Sequence, residues 1–488
     1  MNKEVCELHP NAVWTNFEKL NEIPRGSKKE ERVIAFMKSF GENLGLETKV
    51  DETGNVYIRK QASPGYENRK GIVLQSHLDM VHQKNSDSDF DFDTMGIQSH
   101  IDGDWVTAKG TTLGADNGMG VASIMTILAD DSIEHGPIEA FLTIDEETGM
   151  TGAFGLKAGL LKGDILLNLD SEDEGELYIG CAGGIDTSVI DSYNETNVPD
   201  DHNALRVFVK GLKGGHSGMD VVLGRGNANK LLNRLLLILA DKYEIGVSML
   251  NGGSLRNAIP REAYATLLFK AGDEGAVKNT ISEVEATFKT EFGKIEPELN
   301  IEVNATDLPS KRMPSDYLQK ILWAINAAPN GVAAMSQDIP GLTETSTNMA
   351  MVRVENGKME IYFLTRSSVD SRKEMVAQEI ESTFKLMEVD TVEHDGGYPG
   401  WVPNPDSAIL ETMSKGYENL YGVVPKVMAI HAGLECGILG TNYPEMDMIS
   451  FGPTIRNPHS PDEKVLIPTV GKFWDYLLDT LKNVPVKK

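Results

Sequence analysis

Three short apolar runs in the N-terminal part of the chain constrain its fold most strongly. Each is about six residues long and bounded by turn-forming residues, and they lie at 71–76, 138–144 and 164–169. Continuous apolar runs of this length are typical of strands buried on both faces of a sheet. Apolar side chains recur at helical intervals in segments 14–20, 30–44 and 117–130. The alternation predicts an α/β fold.

Side chains that bind metals or move protons follow the end of each apolar run. They are His77 and Asp79 after the first run, Asp145, Glu146 and Glu147 after the second, and Asp170 after the third. In open α/β sheets, ligands bind in the crevice beyond the carboxyl ends of the strands. The sequence therefore predicts that one edge of the sheet gathers these acids and the histidine.

The pair His77 and Asp79 suggests a metal-binding imidazole with its supporting carboxylate. Side chains two residues apart on an extended chain point to the same face. A carboxylate so placed can hold the second ring nitrogen of a ligating histidine. The motif is weak when taken alone, and a purely structural pair is the alternative.

Asp116 lies in the glycine-rich segment 110–120. One interpretation is structural, with Asp116 as the N-cap of the helix predicted over 117–130. The other is functional, because glycines let the backbone approach a bound group closely. An aspartate there could bridge two cations with its two oxygens.

Three consecutive acids, Asp145, Glu146 and Glu147, repel one another unless positive charge compensates them. A solvated turn is one interpretation, and a metal pair is the other. In the second case one glutamate ligates while its neighbour serves as the general base. The residues themselves do not decide which glutamate has which role.

Composition excludes several other classes of protein. The 46 Lys and Arg residues against 73 Asp and Glu residues give a net charge of −27, which disfavours binding to a nucleic-acid backbone. Three cysteines without a C-x-x-C pair support neither a disulfide framework nor a thiolate zinc site. We find no signal peptide and no apolar run of about 18 residues, so we expect a cytoplasmic protein without a membrane partner.

The pattern changes after Gly184 and returns to α/β alternation after residue 400. Between them lie a strand pattern at 205–210, a leucine-striped helix at 228–243, a hairpin centred on 355–358 and a helix at 372–387, and the glycine-rich stretch 395–400 punctuates the chain. His459 stands in a proline-flanked loop far beyond Asp170. If both join one site, the stretch between them contains an inserted domain.

Taken together, the motifs resemble those of the bacterial aminoacyl-histidine dipeptidase family, the cytosol non-specific dipeptidases, in the carnosinase-like branch of the dizinc exopeptidases. They occur in the family's order at 76–79, 113–118, 145–147, 169–170, 211–217, 255–260, 431–436 and 458–461. The resemblance implies an α/β dizinc exopeptidase-type catalytic domain, formed by 1–186 and 400–488. It also implies an inserted α+β lid and dimerisation domain over 187–399, through which a homodimer forms.

The same resemblance implies two Zn²⁺ ions per subunit, for which Co²⁺ or Mn²⁺ can substitute because all three accept nitrogen and oxygen ligands. One ion would take His77, Asp116 and Asp170, and the other would take Asp116, Glu147 and His459. Asp79 would orient His77, and Glu146 would be the general base.

The implied activity is hydrolysis of unblocked dipeptides, including Xaa-His substrates, by a zinc-bridged water that Glu146 activates. His216, Asn257 and Arg366 would bind the substrate. An N-acyl amino acid deacylase of the same broad fold is the second enzyme hypothesis. A catalytically silent peptide-binding protein is the third, although its expected signature, loss of Glu146 or of one ligand, is absent from the sequence.

Overall fold

The computed structural model describes residues 1–487, and the chain divides into two compact units. The first unit comprises Met1–Gly180, Pro403–Ala429 and Leu434–Lys488, and the second comprises Cys181–Val402 and Ile430–Gly433. The insertion predicted over 187–399 lies within the second unit, which also takes in Ile430–Gly433 from the C-terminal part of the chain. Backbone pairing explains this addition, because the amide of Ala182 donates to the carbonyl oxygens of Ile430 and Ala432.

The first unit alternates helices and strands, which confirms the predicted α/β class. Its helices are Lys3–Cys6, Asn11–Asn21, Glu31–Asn43, Ala115–Ala129, Glu146–Gly149, Thr151–Gly155, Ala408–Tyr421, Glu435–Asn442 and Ile467–Asn483. An eight-stranded sheet has the order Glu47–Val50, Val56–Lys60, Ile138–Thr143, Ile72–His77, Ile165–Asn168, Asp447–Ser450, Glu176–Cys181 and Lys426–Ile430. A smaller sheet has the order Ile455–Arg456, Lys464–Leu466, Trp105–Ala108 and Ser99–Asp102.

Parallel pairing in the middle of the large sheet determines where the polar side chains meet. Ile72–His77 pairs in parallel with Ile138–Thr143 on one side and with Ile165–Asn168 on the other. The register places His77 opposite Thr143 and Gln75 opposite Asn168. All three strands are buried along their length, as their apolar runs predicted. The residues that follow them therefore emerge at the same edge of the sheet.

The prediction that Asp116 caps a helix is wrong. The helix Ala115–Ala129 follows Gly114, whose φ of 72° is left-handed, and it is interrupted at Asp116 and Asn117, whose backbone angles are not helical. The carboxylate oxygens of Asp116 instead lie beside His77 and His459. The nearby imidazoles therefore take the place of the helix amides as partners of this carboxylate.

The second unit is built on a nine-stranded antiparallel sheet. Eight strands lie in the order Asn300–Ala305, His202–Lys210, Ala263–Lys270, Ile245–Gly252, Thr343–Glu355, Lys358–Ser367, Gly183–Ser192 and Thr391–Tyr398, and Gly331–Met335 also pairs with Thr343–Glu355. Two short ladders join Thr196–Asn197 to Lys311–Arg312 and Gly215–His216 to Ala258–Ile259. Its helices are Ala228–Lys242, Glu274–Phe292, Ser315–Ala327 and Asp370–Lys385, with 3₁₀ turns at Val221–Leu223 and Ala271–Asp273.

Two glycine-containing turns of the second unit were predicted, with different outcomes. Asn356 and Gly357 have φ of 54° and 76°, as a type I′ hairpin turn requires, so the hairpin is confirmed. The expected break at 395–400 is wrong in its position. The strand Thr391–Tyr398 runs through this stretch, and a register shift after Asp395 accommodates Gly396 at φ of 60°.

The leucine stripe of the helix Ala228–Lys242 packs into the core of the second unit. The stripe consists of Leu231, Leu232, Leu235, Leu236 and Leu239, all buried among strand residues of the nine-stranded sheet. Across residues 1–487, no helix is both long enough and apolar enough to cross a membrane.

Replacing Leu235 by Ala should lower the stability of the protein by about 2–5 kcal/mol, because the substitution leaves a cavity in a closed core. Leu237, half-buried on the same helix, is the matched control, and its change to Ala should cost less. Urea unfolding followed by circular dichroism measures both variants. Equal losses would contradict the packing described here.

Candidate metal centre

Asp116 links two histidines at the carboxyl edge of the large sheet. Nε2 of His77 lies 3.2 Å from Oδ1 of Asp116 and 3.3 Å from Oδ1 of Asp170. Nε2 of His459 lies 3.2 Å from Oδ2 of Asp116 and 2.8 Å from Oε2 of Glu147. The structure thus brings the five sequence-predicted ligands together in two groups that share Asp116.

The donor atoms of these groups suit divalent cations. Within each group they lie within 4.8 Å of one another. Ligand atoms about 2.0–2.2 Å from a tetrahedral zinc ion are about 3.3 Å apart, close to the spacings observed here. Among residues 1–487, Oε1 of Glu147 is buried and has no hydrogen-bond partner, and buried Oδ1 of Asp170 has the ring nitrogen of His77 at 3.3 Å but makes no hydrogen bond. Buried carboxylate oxygens without donors are the feature that a bound cation would explain.

The electrostatics of the cluster favour positive charge. Burial disfavours the charged ring of His77, but the carboxylates of Asp170 and Asp116 outweigh it and raise its pKa well above the usual value. Hydrogen bonds to Asp116 and Glu147 raise the pKa of His459 to about 11. Burial raises the pKa of Asp170 to about 6. The same field that retains protons on the histidines would attract a metal ion in their place.

Asp79 connects the histidine segment with the acidic segment. It is fully buried; its main-chain carbonyl oxygen is the hydrogen-bond partner of Nδ1 of His77 at 3.2 Å, and its Oδ1 lies 3.4 Å from the same nitrogen. Its carboxylate also accepts hydrogen bonds from the amides of Glu146 at 3.1 Å and Glu147 at 3.3 Å, and from Oγ of Ser27 at 2.8 Å. Asp79 therefore holds the ring of His77 and the start of the Glu146–Gly149 turn in one arrangement.

The three consecutive acids have three different environments. Asp145 has φ of 53° and accepts hydrogen bonds from the hydroxyls of Thr148 and Thr151, so it shapes the turn. Glu147 faces His459, as described above. Glu146 is the third acid, and it lies in a separate group with His77 and Glu147.

The environment of Glu146 favours a bound proton. Burial is the largest effect, and although His77 opposes it, Asp170 and Glu147 reinforce it. The pKa of Glu146 is consequently well above that of an ordinary glutamate. A carboxyl group with a raised pKa binds a proton more readily than an ordinary glutamate does.

The second unit holds the three predicted substrate residues. Nδ1 of His216 accepts hydrogen bonds from the amides of Gly218 at 3.2 Å and Met219 at 3.0 Å. Its neutral ring therefore carries the proton on Nε2, where it can be donated. Asn257 is exposed, and its carbonyl oxygen accepts the amide of Ser217 at 2.8 Å.

Arg366 is the most buried of these three residues. Its Nη1 donates to the hydroxyl of Tyr398 at 2.8 Å, and its buried Nε has no hydrogen-bond partner among residues 1–487. Burial is the main cause that lowers the pKa of His431 to about 3, and the nearby Arg366 and His216 shift it in the same direction. His216, Arg366 and His431 therefore share one region of the second unit, and the ring of His431 is held by Oγ of Ser346 at 2.7 Å.

Three buried charged residues next to the metal centre were missed from sequence. Oε2 of Glu435 accepts hydrogen bonds from Nε2 of Gln75 at 2.5 Å and from Oγ1 of Thr143 at 2.7 Å, and so joins two of the parallel strands. Arg25 and Glu463 contact the turn that precedes Asp116. Arg25 and Glu463 are single charges outside any ligand spacing, so no sequence pattern distinguished them from surface residues, whereas Glu435 lies within the 431–436 motif but was given no role there.

Comparison with known proteins identifies the class. Residues 73–483 match the model of peptidase family M20/M25/M40. This chain belongs to that family of peptidases.

Two relatives match nearly the whole chain. The cytosol non-specific dipeptidase of Escherichia coli K12 is 43% identical over 484 residues, which cover 99% of this chain and 100% of the relative. The crystal structure of aminoacylhistidine dipeptidase from Vibrio alginolyticus is 47% identical, with a TM-score of 0.93 and coverage of 99% of both chains. Aminopeptidase PepT from Bacillus cereus, at 15% identity and a TM-score of 0.56 with 98% and 99% coverage, shares the fold.

Removing divalent metal with a chelator should lower the thermal unfolding temperature of the protein, because the buried carboxylates would then repel one another. A ligand present at about 100 times its Kd stabilises the folded state by about 2.7 kcal/mol. Thermal scans with and without added Zn²⁺ measure the shift. Asp116→Asn, which weakens both ligand groups, should reduce this shift, and an undiminished shift in that variant would contradict the assignment.

Proposed function

We propose that this protein is a cytoplasmic metal-dependent dipeptidase that hydrolyses unblocked dipeptides, including Xaa-His substrates. One observation carries the proposal: two ligand groups share Asp116 beside the half-buried Glu146. The full-length similarity to a relative named as a non-specific dipeptidase supports the same reaction and the cytosolic location.

The ligands proposed for two Zn²⁺ ions, with Co²⁺ or Mn²⁺ as substitutes, are His77, Asp116 and Asp170 for one ion and Asp116, Glu147 and His459 for the other. Bound cations of this kind supply Lewis acidity, which makes a water molecule easier to deprotonate and a carbonyl carbon easier to attack. Asp79 holds the ring of His77 through Nδ1, which leaves Nε2 free to ligate.

Glu146 is the proposed general base and acid. Its carboxylate takes a proton from the attacking water, and the oxygen of that water bonds to the scissile carbonyl carbon. The C–N bond then breaks, and Glu146 returns the proton to the leaving amine. The raised pKa of Glu146 suits both steps, because the group holds the proton between them.

Substrate binding is assigned to the second unit. His216 offers Nε2–H to the oxyanion that develops on the carbonyl oxygen. Arg366 pairs with the C-terminal carboxylate of the dipeptide, which would satisfy its unpartnered Nε. Asn257 adds a further hydrogen bond.

We also propose that the protein forms a homodimer through this unit.

A substrate panel tests the proposed activity. Ala-His and β-Ala-His should be hydrolysed, and exhaustive chelation should abolish turnover until Zn²⁺, Co²⁺ or Mn²⁺ is restored. N-acetyl-Ala-His distinguishes a dipeptidase from a deacylase, because only the deacylase would act on it in preference to the free dipeptide. Turnover that survives complete metal removal would overturn the proposal.

Replacing Glu146 by Gln should lower kcat by about 10²–10⁴, because the proton acceptor is lost, while bound metal is retained. Glu147→Gln is the matched control on the adjacent residue. It should lose metal, because it removes a charged partner of His459. Metal analysis and steady-state kinetics on both variants measure the difference. The opposite pattern would exchange the roles of the two glutamates.

A further inference from the structure

The turn that precedes Asp116 is held by an unusual buried carboxylate. Oε2 of Glu463 accepts the amides of Leu113 at 2.8 Å and Gly114 at 3.0 Å, while Oε1 accepts the amides of Ala115 at 2.8 Å and Asp116 at 3.3 Å. The side chain of Glu463 is almost completely buried. Four consecutive amides therefore converge on one carboxylate that lies 347 residues from Asp116 along the chain.

The buried guanidinium of Arg25 donates to a backbone carbonyl group of the same turn. Nη2 of Arg25 donates to the carbonyl oxygen of Gly114 at 2.6 Å. Nη1 donates to the carbonyl oxygens of Leu78 at 3.2 Å and Asp79 at 3.0 Å. Arg25 is only 1% exposed. It therefore ties the segment after His77 to the turn before Asp116.

The packing leaves no room for a side chain at Gly114. A Cβ atom on Gly114 would lie 2.5 Å from Nη2 of Arg25 and 2.8 Å from Sδ of Met80. The left-handed φ of 72° at Gly114 further restricts the position to glycine. The turn is thus confined by Arg25 and Met80 while its amides are held by Glu463.

Both charges also connect to segments that carry other ligands. The amide of Glu463 donates to the carbonyl oxygen of Ser460 at 3.0 Å, which closes the loop that follows His459. Arg25 reaches the backbone of Leu78, adjacent to His77. The two residues therefore contact all three segments that supply His77, Asp116 and His459.

We propose that Arg25 and Glu463 are positioning residues that jointly place Asp116 between His77 and His459. Neither residue is a ligand. This inference rests on the proposed metal-dependent function. Orienting groups beyond the ligands commonly change metal affinity or activity by about 10–100-fold when they are replaced.

Glu463→Gln tests the proposal with minimal change of shape. Each carboxylate oxygen of Glu463 accepts two backbone amides. In glutamine an N–H₂ group, which cannot accept them, replaces one of these oxygens, so at least one pair of the four hydrogen bonds is lost. Titration of the metal-free protein with Zn²⁺ against a chromophoric chelator should show an increase in Kd of about 10–100-fold. Arg25→Lys keeps the charge but not the planar fork, and should weaken Zn²⁺ binding to a smaller extent.

Glu296→Gln is the matched control in the second unit. Glu296 is also fully buried, and it accepts the amides of Lys213 at 2.8 Å and Gly226 at 3.0 Å. Its replacement should lower thermal stability without changing Zn²⁺ affinity. If Glu463→Gln does not fold, the measurement on Arg25→Lys decides.

Three outcomes separate the hypotheses. Weaker Zn²⁺ binding by Glu463→Gln or Arg25→Lys, with unchanged binding by Glu296→Gln, supports the positioning role. Parent-like Zn²⁺ affinity in both variants, or an equal loss in Glu296→Gln, overturns it. Absence of Zn²⁺ binding by the parent protein would overturn the proposed metal-dependent function itself.

Discussion

The shared carboxylate of Asp116 is the interaction on which the rest of the site depends. Its two oxygens face His77 and His459, which come from opposite ends of the chain. Each histidine then meets one further carboxylate, Asp170 or Glu147. Because a single side chain belongs to both groups, a displacement of Asp116 would disturb both at once. The backbone around it is accordingly held by buried charges and close packing.

The centre gathers several carboxylates that are buried or half-buried, where water screens their charges less than at the surface. Burial pushes the pKa of Asp170 and Glu146 upward, whereas the two histidines keep Asp116 ionised, with a pKa below its ordinary range despite its burial. Such a cluster needs cations, and backbone amides supply only part of the compensation, as at Asp79. Without metal, the repulsion among these carboxylates would make folding costly. The same cluster of carboxylates would bind metal and hold a proton on Glu146.

Much of the catalytic unit could be predicted because local pattern and tertiary environment agree there. A short, mainly apolar run bounded by turn residues, as at 138–144, is typical of a buried strand, and the parallel pairing brings the ends of such strands together. Asp116 shows where this reasoning fails. Its position before an apolar helical pattern is typical of an N-cap residue, yet its oxygens lie beside imidazoles from distant parts of the chain. Glu463 and Arg25 were missed because contacts between residues 347 and 89 positions apart produce no periodic pattern in the sequence.

The sequence by itself determined the α/β class, the residue types available as ligands, and the order in which the strands deliver them, because hydrophobic periodicity and covalent adjacency are local properties. Only the tertiary structure decided that Asp116 faces two histidines, that Asp145 shapes a turn while Glu147 meets His459, and that Glu146 lies beside His77 and Glu147. Those assignments depend on distances of about 3 Å between segments that are far apart in the chain, and such distances arise only when the sheet register and the buried charges are fixed together.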